Sequence, residues 1–357
     1  MTSPDNPRQL EPPIGEPPLG RPPTVGRLRR RRDLWVRIVR PVVSVGLLAV
    51  LVAKIDPSTL IPEHRSLPGT LAFLIAGVVL MAGSFVIAAA RWQRVLAVFK
   101  VHVPLRRLCS HYLAGQFVGN VLPSTVGGDV LRVARCTNDI NSSEIAFASV
   151  VIERLTGFVS LPLLIVIGFI ARPGLLDHGQ SWIALAIAGA TVAFLALLLL
   201  LAASPRLAGR FKDHENWMRY IGVIHVGIDR LRRDPRDALS AIGAAIAYQV
   251  CVVSAVYCAV HTVGLTIPNA AVLAFVPAVA TAQVVPISLG GLGVREGMLA
   301  LLLHPLGVPT GHAVAVGLLW YAMLLVVSLA GAPAFAVGGR RHDREATPPP
   351  IVSTEHP

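Results

Sequence analysis

The chain has 357 residues, of which 54% are hydrophobic and only 15% are charged, and its mean hydropathy is +0.63. This composition leaves too little polar surface to cover a water-soluble globule, so it excludes a soluble protein and indicates an integral membrane protein. The formal net charge of +12 arises from basic residues in short loops between apolar segments. That pattern is typical of membrane orientation and argues against a nucleic-acid partner.

Residues 1–34 differ in composition from the rest of the chain. They contain three proline pairs and a basic cluster at 27–32, and they hold no apolar run that could cross a membrane. We therefore expect a disordered cytoplasmic arm here and no removable signal peptide. The polar residues 339–357 are expected to form a disordered cytoplasmic tail.

Six segments between these ends are candidates for full membrane crossings. A crossing needs about 20 predominantly apolar residues, with roughly 17 to 25 as the working range. The candidate crossings are 36–54, which is short in apolar content, 68–90, 155–171, 182–202, 238–263 and 312–337. Three further stretches, 105–126, 270–289 and 297–308, are apolar but short or broken.

The arginines and lysines between the apolar segments indicate how the chain crosses the membrane. They mark the amino terminus, loop 91–107 and above all loop 203–237 as cytoplasmic, because short cytoplasmic loops carry the excess of basic residues. A full crossing by 105–126 would put loop 203–237 outside, against this rule. We therefore expect 105–126 to enter the membrane and return on the same side, with both termini in the cytoplasm.

Segment 105–126 runs into a motif that occurs twice. The pattern P-x-x-x-G-G-x-x-x-R extends from Pro123 to Arg132 and again from Pro286 to Arg295, at an offset of 163 residues. The proline and the paired glycines break a helix in each copy. Three predicted crossings separate the copies, so they enter from opposite sides, as in the inverted repeats of many secondary transporters. The alternative is that both are ordinary interhelical turns with a chance likeness.

The predicted fold is an all-α integral membrane protein with about six full transmembrane helices and two re-entrant helical hairpins, arranged as an inverted repeat. The membrane domain covers 35–338, with repeat one at about 68–171 and repeat two at about 238–337. In loop 203–237, apolar residues recur at three- and four-residue steps. This predicts an amphipathic helix in the inner headgroup layer, bound by anionic lipids, with a simple amphipathic connector as the alternative.

Each copy of the motif has the features of an anion site. Irregular backbone is tolerated at membrane depth only beside protein or a water-filled cavity, so a re-entrant break marks a cavity. The half-helix that follows directs amide groups and its positive dipole end toward the break, and an arginine about one turn later could bind phosphate in a bidentate manner. The predicted substrate-binding residues are Asn120, Pro123, Ser124, Gly127, Gly128, Arg132, Pro286, Ser288, Gly290, Gly291 and Arg295.

Charged residues inside apolar stretches form a second candidate set, because they are costly in a membrane unless paired or functional. Asp129, Glu153, Arg154 and Glu296 are predicted to take part in proton coupling or ion pairing. An alternative role for Asp129 is to cap the half-helix, since Leu292 occupies the equivalent position in the second copy. Arg91 is expected to be an interfacial anchor instead of a ligand.

The sequence predicts no cofactor and no metal site. The four cysteines form no C-x-x-C pair, and none of the eleven histidines lies in an H-E-x-x-H pattern. The run at 290–293 is not a dinucleotide-binding motif, and no P-loop pattern occurs. With no recognisable catalytic motif, an enzyme is not expected.

Several motifs occur in a fixed order along the membrane part. They are Arg91-Trp92, Gly115-Gln116-Phe117, Asn120-x-x-Pro123-Ser124, Gly127-Gly128-Asp129-x-x-Arg132, Glu153-Arg154 and Pro286-x-Ser288-x-Gly290-Gly291-x-Gly293-x-Arg295-Glu296. Together they resemble the transmembrane region of lysylphosphatidylglycerol synthases, a flippase-like family, over about residues 35–338. The resemblance implies movement of phospholipid or lipid-linked phosphate between leaflets. Only a 19-residue tail follows Gly338, so the aminoacyltransferase domain of some members, and its activity, are not expected here.

The leading hypothesis is a lipid translocase of the bacterial cytoplasmic membrane. A phosphate-containing headgroup would enter between the hairpins, with Arg132 and Arg295 as its ligands, and rocking of the two repeats would release it on the other side. One alternative is an intramembrane transferase for a polyprenyl-phosphate, with Asp129, Glu153 or Glu296 as general base. Another is a non-transporting scaffold for a cell-envelope enzyme.

Overall fold

The computed structural model describes residues 67–121, 127–203, 215–284, 288 and 290–335. Within these ranges the regular structure is helical, which confirms the predicted all-α class. Three short 3₁₀ turns lie at Pro173–Asp177, Gly179–Ser181 and His304–Leu306. The helices are α1 (Leu67–Val98), α2 (Leu105–Val121), α3 (Gly127–Ile140), α4 (Ser143–Ala171), α5 (Trp182–Ala203), α6 (Glu215–Arg233), α7 (Pro235–Thr262), α8 (Asn269–Ala282), α9 (Val294–Leu303) and α10 (Thr310–Leu329).

Five helices of the described part, α1, α4, α5, α7 and α10, are long and apolar enough to cross a membrane. They correspond to five of the six predicted crossings, and the protein is a multi-pass membrane protein. The sixth predicted crossing, 36–54, lies outside the described residues. Apolar side chains such as Val79, Ile170 and Leu200 are exposed on these helices, as expected where the neighbouring solvent is lipid.

The predicted start of the 155–171 crossing was wrong. Helix α4 begins at Ser143, where the Ser142 hydroxyl accepts a hydrogen bond from the Ile145 amide and caps the first turn. The pair Glu153-Arg154 lies in the middle of this helix. Sequence reasoning placed these two charges at the helix entrance because it could not see the partners that allow Glu153 to be buried.

Two pairs of helices cover the broken apolar segments. The first pair is α2 and α3, and residues 122–126 between them lie outside the described part. The second consists of α8 and α9, separated by a turn in which Gly290, Gly291 and Gly293 all have positive φ angles. Only glycine adopts such angles without strain, so this glycine-rich turn sets the direction in which α9 starts.

The helix order repeats at the offset of the motif. Shifting α1 to α4 by 163 residues places them over α7 to α10, element for element. The packing repeats as well: α2 packs on α10 as α8 packs on α4, and α1 packs on α10 as α7 packs on α4. Helices α1 and α7 pack along each other. The first half, α1–α4, and the second half, α7–α10, therefore make matching contacts with each other.

Helix α6 confirms the helix predicted in loop 203–237, but part of its apolar face covers protein. Side chains of its second half, Val223, Ile224, Ile228 and Leu231, pack against Val95, Phe99, Ala148 and Ile152, which lie at or just after the end of α1 and in the first part of α4. The side chains of 215–221 lie outside the described part. Arg230 Nη1 donates to the carbonyl of Val98 at 3.1 Å, which satisfies an otherwise unpaired group at the end of α1. Helix α6 is therefore a packed connector over the part that is described.

Two glycines of α6 give a matched test of this packing. A Cβ at Gly227 would overlap the ends of the Ile152 and Phe99 side chains, whereas a Cβ at Gly222 would meet nothing within 4 Å. We expect Gly222→Ala to stabilise α6 by up to ~1 kcal/mol through helix propensity. Gly227→Ala should cancel that gain, because the added methyl group would force α6 away from α1 and α4. Limited trypsin digestion at the α6 arginines measures this, and equal cleavage rates for the two variants would contradict the packing.

Candidate functional site

Arg132 is positioned by the close approach of α2 and α3. Gly128 lies against the carbonyl oxygen of Gly115 so closely that a Cβ there would overlap it. A Cβ at Gly115 would in turn lie 2.8 Å from Arg132 Cγ. The two glycines therefore let the helices meet backbone to backbone, which holds the Arg132 side chain against α2.

The guanidinium of Arg132 is buried among aromatic rings and carboxylates. Its central carbon lies 4.4 Å from the ring centre of Trp92 and 4.5 Å from that of Tyr112. Nη2 donates to Glu153 Oε2 at 3.1 Å, and Nη1 donates to Asp129 Oδ1 at 3.3 Å. Cation–π contacts and charge-assisted hydrogen bonds together replace the water that this arginine has lost.

Glu153 links three helices through two ion pairs. Its carboxylate is 1% exposed and accepts from Arg132 of α3 and from Arg91 Nη2 of α1. Arg91 also lies over the ring of Tyr248 on α7, at 5.3 Å from the ring centre. A buried carboxylate is stable only when its charge is paired, so Glu153 depends on both arginines and they depend on it.

The outer pair of the network is Arg154 with Asp129. Arg154 Nη2 lies 2.7 Å from Asp129 Oδ2, and the Arg154 side chain is 51% exposed. We call Arg91, Asp129, Arg132, Glu153 and Arg154 the arginine–carboxylate cluster. Three guanidiniums face two carboxylates, so the cluster carries one uncompensated positive charge.

The cluster borders a cavity of about 160 Å³. Arg91, Glu153 and Arg154 line it together with Tyr112 and Tyr248. The remaining wall includes Ala280 and Val284, at the end of α8 beside the second motif. Residues of both halves therefore line a cavity with charged groups within a bundle of apolar helices.

In the second copy, Arg295 occupies an environment like that of Arg132. It lies over the rings of Trp320 and Tyr321, at 5.2 and 5.0 Å from their centres. Its Nε and Nη2 donate to Gln283 Oε1 at 3.1 and 2.8 Å, and Nη2 also donates to the Gly290 carbonyl at 2.8 Å. Arg295 therefore holds the end of α8 and the glycine turn together.

Glu296 serves the same turn. The carboxylate is fully buried, and its Oε2 accepts from the Gly293 amide at 2.6 Å, which caps the start of α9. Its Oε1 lies 4.0 Å from Arg295 Nη1. Gly317 on α10 leaves room for it, since a Cβ there would lie 3.0 Å from Glu296 Cγ.

The structure divides the sequence-predicted residues between two places. Asp129, Arg132, Glu153 and Arg154 meet in the cluster, whereas Gly290, Gly291, Arg295 and Glu296 form the turn of the second half. Within the described residues, neither Arg132 nor Arg295 lines the cavity. Ser288 is buried, and Gly127 and Gly128 begin α3. Pro123, Ser124 and Pro286 lie outside the described residues.

Two further site residues were missed by sequence reasoning. Arg91, expected as an interfacial anchor, is 5% exposed and pairs with Glu153. The feature of the sequence that could have revealed Arg91 is an arginine at the end of an apolar run, beside Trp92. Gln283 was also missed, although the offset of 163 aligns it with Asn120, which was predicted, and a carboxamide therefore stands at this position in both copies.

Comparison with known proteins agrees with the motif resemblance. No curated protein matches the chain. The family described as Lysylphosphatidylglycerol synthase TM region matches residues 37–331, which include α1 to α10 and both copies of the motif. The resemblance seen in the motifs is confirmed, and the chain belongs to the lysylphosphatidylglycerol synthase TM region family.

Proposed function

We propose that the protein moves a phosphate-containing lipid, a phospholipid or a lipid-linked phosphate, between the leaflets of the bacterial cytoplasmic membrane. The observation that carries this proposal is a cavity inside a membrane protein. The arginine–carboxylate cluster beside this cavity has one positive charge in excess. Such a wall favours an anionic headgroup, while the apolar helices around it suit acyl or prenyl chains. The family is a membrane domain often linked to lipid flipping, which supports the same reading.

The repeated packing supports a transporter architecture. The two halves form an inverted repeat, with α2–α3 and α8–α9 as re-entrant hairpins. Helix α2 has 17 residues and α8 has 14, so they extend about 25 and 21 Å. Both are shorter than the ~30 Å hydrocarbon core, as expected of helices that enter and return. Alternating access then follows from rocking of one half against the other around the cavity.

The orientation follows from the basic residues. The last turn of α6 carries Arg230, Arg232 and Arg233, and both chain ends are arginine-rich. These regions face the cytoplasm, where anionic lipids attract them. The headgroup site therefore lies in the bilayer, between this basic face and the opposite leaflet.

The carboxylates favour transport over transferase chemistry. A general base needs a carboxylate free to reach the proton that it removes. Asp129 and Glu153 each accept from two arginines, and Glu296 caps α9. These contacts also favour ion pairing over proton coupling as the function of the three acids.

Reconstitution into liposomes tests the function. Proteoliposomes with fluorescent phosphatidylglycerol are expected to expose inner-leaflet label to an external quencher faster than empty liposomes. Ala280→Phe carries a phenyl ring into the cavity and is expected to reduce that rate by at least about tenfold, since a blocked cavity admits no headgroup. Ala190→Phe on α5, where the native side chain is exposed, is the matched control and should transport normally.

Two results would contradict the proposal. Wild-type rates equal to those of empty liposomes across a panel of phospholipids and lipid-linked phosphates would favour the scaffold alternative. Full activity of Ala280→Phe would show that lipid does not pass through this cavity.

A further inference from the structure

The three guanidiniums of the cluster differ in how accessible they are. The side chains of Arg91 and Arg132 are 6% and 4% exposed, whereas that of Arg154 is 51% exposed. Arg91 and Arg132 share the buried carboxylate of Glu153. Arg154 is thus the most exposed arginine of the cluster, and its ion pair with Asp129 is the one that an incoming group reaches most easily.

The partner of Arg154 is also the most replaceable member of the cluster. Asp129 accepts from Arg154 Nη2 at 2.9 Å through Oδ1, and the same oxygen accepts from Arg132 Nη1 at 3.3 Å. Its side chain is 24% exposed. If Arg154 turned to another anion, Asp129 would keep Arg132 as a partner and would not be left as an unpaired charge.

The second half of the protein has no equivalent of this pair. At the offset of 163, Leu292 stands for Asp129 and Gly317 stands for Arg154. The space at Gly317 is filled by the Glu296 side chain. The exchangeable pair therefore occurs once in the repeat, and it lies at the cavity.

We infer that Arg154 receives the headgroup phosphate by exchanging Asp129 for it, and that the cluster selects a phosphodiester with a single negative charge. This inference rests on the proposed function of the cavity. One added negative charge neutralises the three guanidiniums and two carboxylates, whereas a phosphomonoester with two charges leaves an excess anion. Arg132 and Arg295 are then positioning residues that hold the hairpins, and neither is a phosphate ligand.

Flipping by charge-altered variants tests this assignment. The probes are fluorescent phosphatidylglycerol, phosphatidic acid at about pH 8, where its phosphomonoester carries close to two charges, and a glycosyl-diacylglycerol without phosphate. Arg154→Gln is expected to slow phosphatidylglycerol by at least about tenfold, as expected for loss of a charge-assisted contact. Arg154→Lys should restore part of the rate. Arg236→Gln, at an exposed arginine at the start of α7, is the matched control.

Asp129→Asn gives a readout that a purely structural role would not produce. The variant cluster has two uncompensated positive charges, so the rate for phosphatidic acid relative to phosphatidylglycerol should rise by at least about threefold, in proportion to the added electrostatic attraction. In Arg154→Gln that ratio should not rise. If Arg154→Gln fails to give monodisperse protein, the ratio of the two lipid rates measured for Asp129→Asn tests the assignment by itself.

The outcomes separate the two proposals. No flipping by the wild type would refute the proposed function. Wild-type flipping with an unchanged rate in Arg154→Gln, or an unchanged lipid ratio in Asp129→Asn, would overturn the assignment of Arg154 and leave the function standing. Competition of millimolar inorganic phosphate with the lipid would reassign the site to a free anion. The lipid assignment requires that inorganic phosphate has no effect.

Discussion

Glu153→Gln is expected to destabilise the folded protein by about 3–5 kcal/mol, the cost of leaving buried charges unpaired. The substitution keeps the shape of the side chain but removes the charge that Arg91 and Arg132 share. The loss should appear as a lower unfolding temperature of the detergent-solubilised protein and as a lower yield of monodisperse material. Asp177→Asn, at an exposed carboxylate after α4, is the control and should behave like the wild type.

A triple variant tests whether the instability of Glu153→Gln comes from unpaired charges. Arg91→Met, Arg132→Met and Glu153→Leu together remove the inner ion pairs, and hydrophobic replacement of a buried ion pair is often neutral or stabilising. We therefore expect this variant to unfold at a higher temperature than Glu153→Gln and to show no lipid transport. Wild-type stability of Glu153→Gln alone would show that the Glu153 charge does not hold α1, α3 and α4 together.

Gly128→Ala is expected to destabilise the α2–α3 hairpin by roughly 2–3 kcal/mol or more, because the added methyl group meets backbone that cannot move aside. The obstructing atom is the carbonyl oxygen of Gly115, and the same shift would displace Arg132 from Trp92 and Tyr112. Lipid flipping should therefore be slower, and the unfolding temperature of the detergent-solubilised protein should be lower.

Gly119→Ala is the matched control on the facing helix. A Cβ at Gly119 would meet only the Gly128 Cα, at 3.9 Å, which is ordinary van der Waals contact. Alanine should raise the stability of α2 slightly there, because it is the better helix former. Equal unfolding temperatures for the Gly128 and Gly119 variants would refute the close approach of the two helices.

The membrane class, five crossings and the glycine turn before α9 could be predicted because they depend on local pattern. An apolar run of sufficient length, or a proline followed by paired glycines, has the same meaning wherever it occurs in a chain. The repeat of Arg132 as Arg295 was also visible, since both copies keep the same spacing.

The pairing of charges could not be predicted, because it depends on which helices pack. Arg91 and Glu153 are 62 residues apart, and no periodicity connects them. For the same reason the start of α4 was misplaced, since a charged pair inside an apolar stretch resembles a helix end until its partners are known. Asp129 has no equivalent in the second copy, and its ion pair with Arg154 is a contact for which the second half has no matching residues.

The two halves of the protein differ in the charged residues that they carry. The first half carries the arginine–carboxylate cluster with its Arg154–Asp129 pair. The second half replaces that pair with Leu292 and Gly317 and uses Arg295 and Glu296 to brace a glycine turn. Under the proposed function, one half binds the headgroup and the other forms the wall against which it moves.

The most direct measurement is the initial rate at which an external quencher reaches inner-leaflet lipid in proteoliposomes. Fluorescent phosphatidylglycerol and a phosphate-free glycosyl-diacylglycerol should be measured side by side. A phosphate-dependent translocase predicts that the protein accelerates the first lipid at least about tenfold more than the second, since only the first supplies the anion that the cluster lacks. Equal acceleration of both lipids, or no acceleration of either, would contradict it.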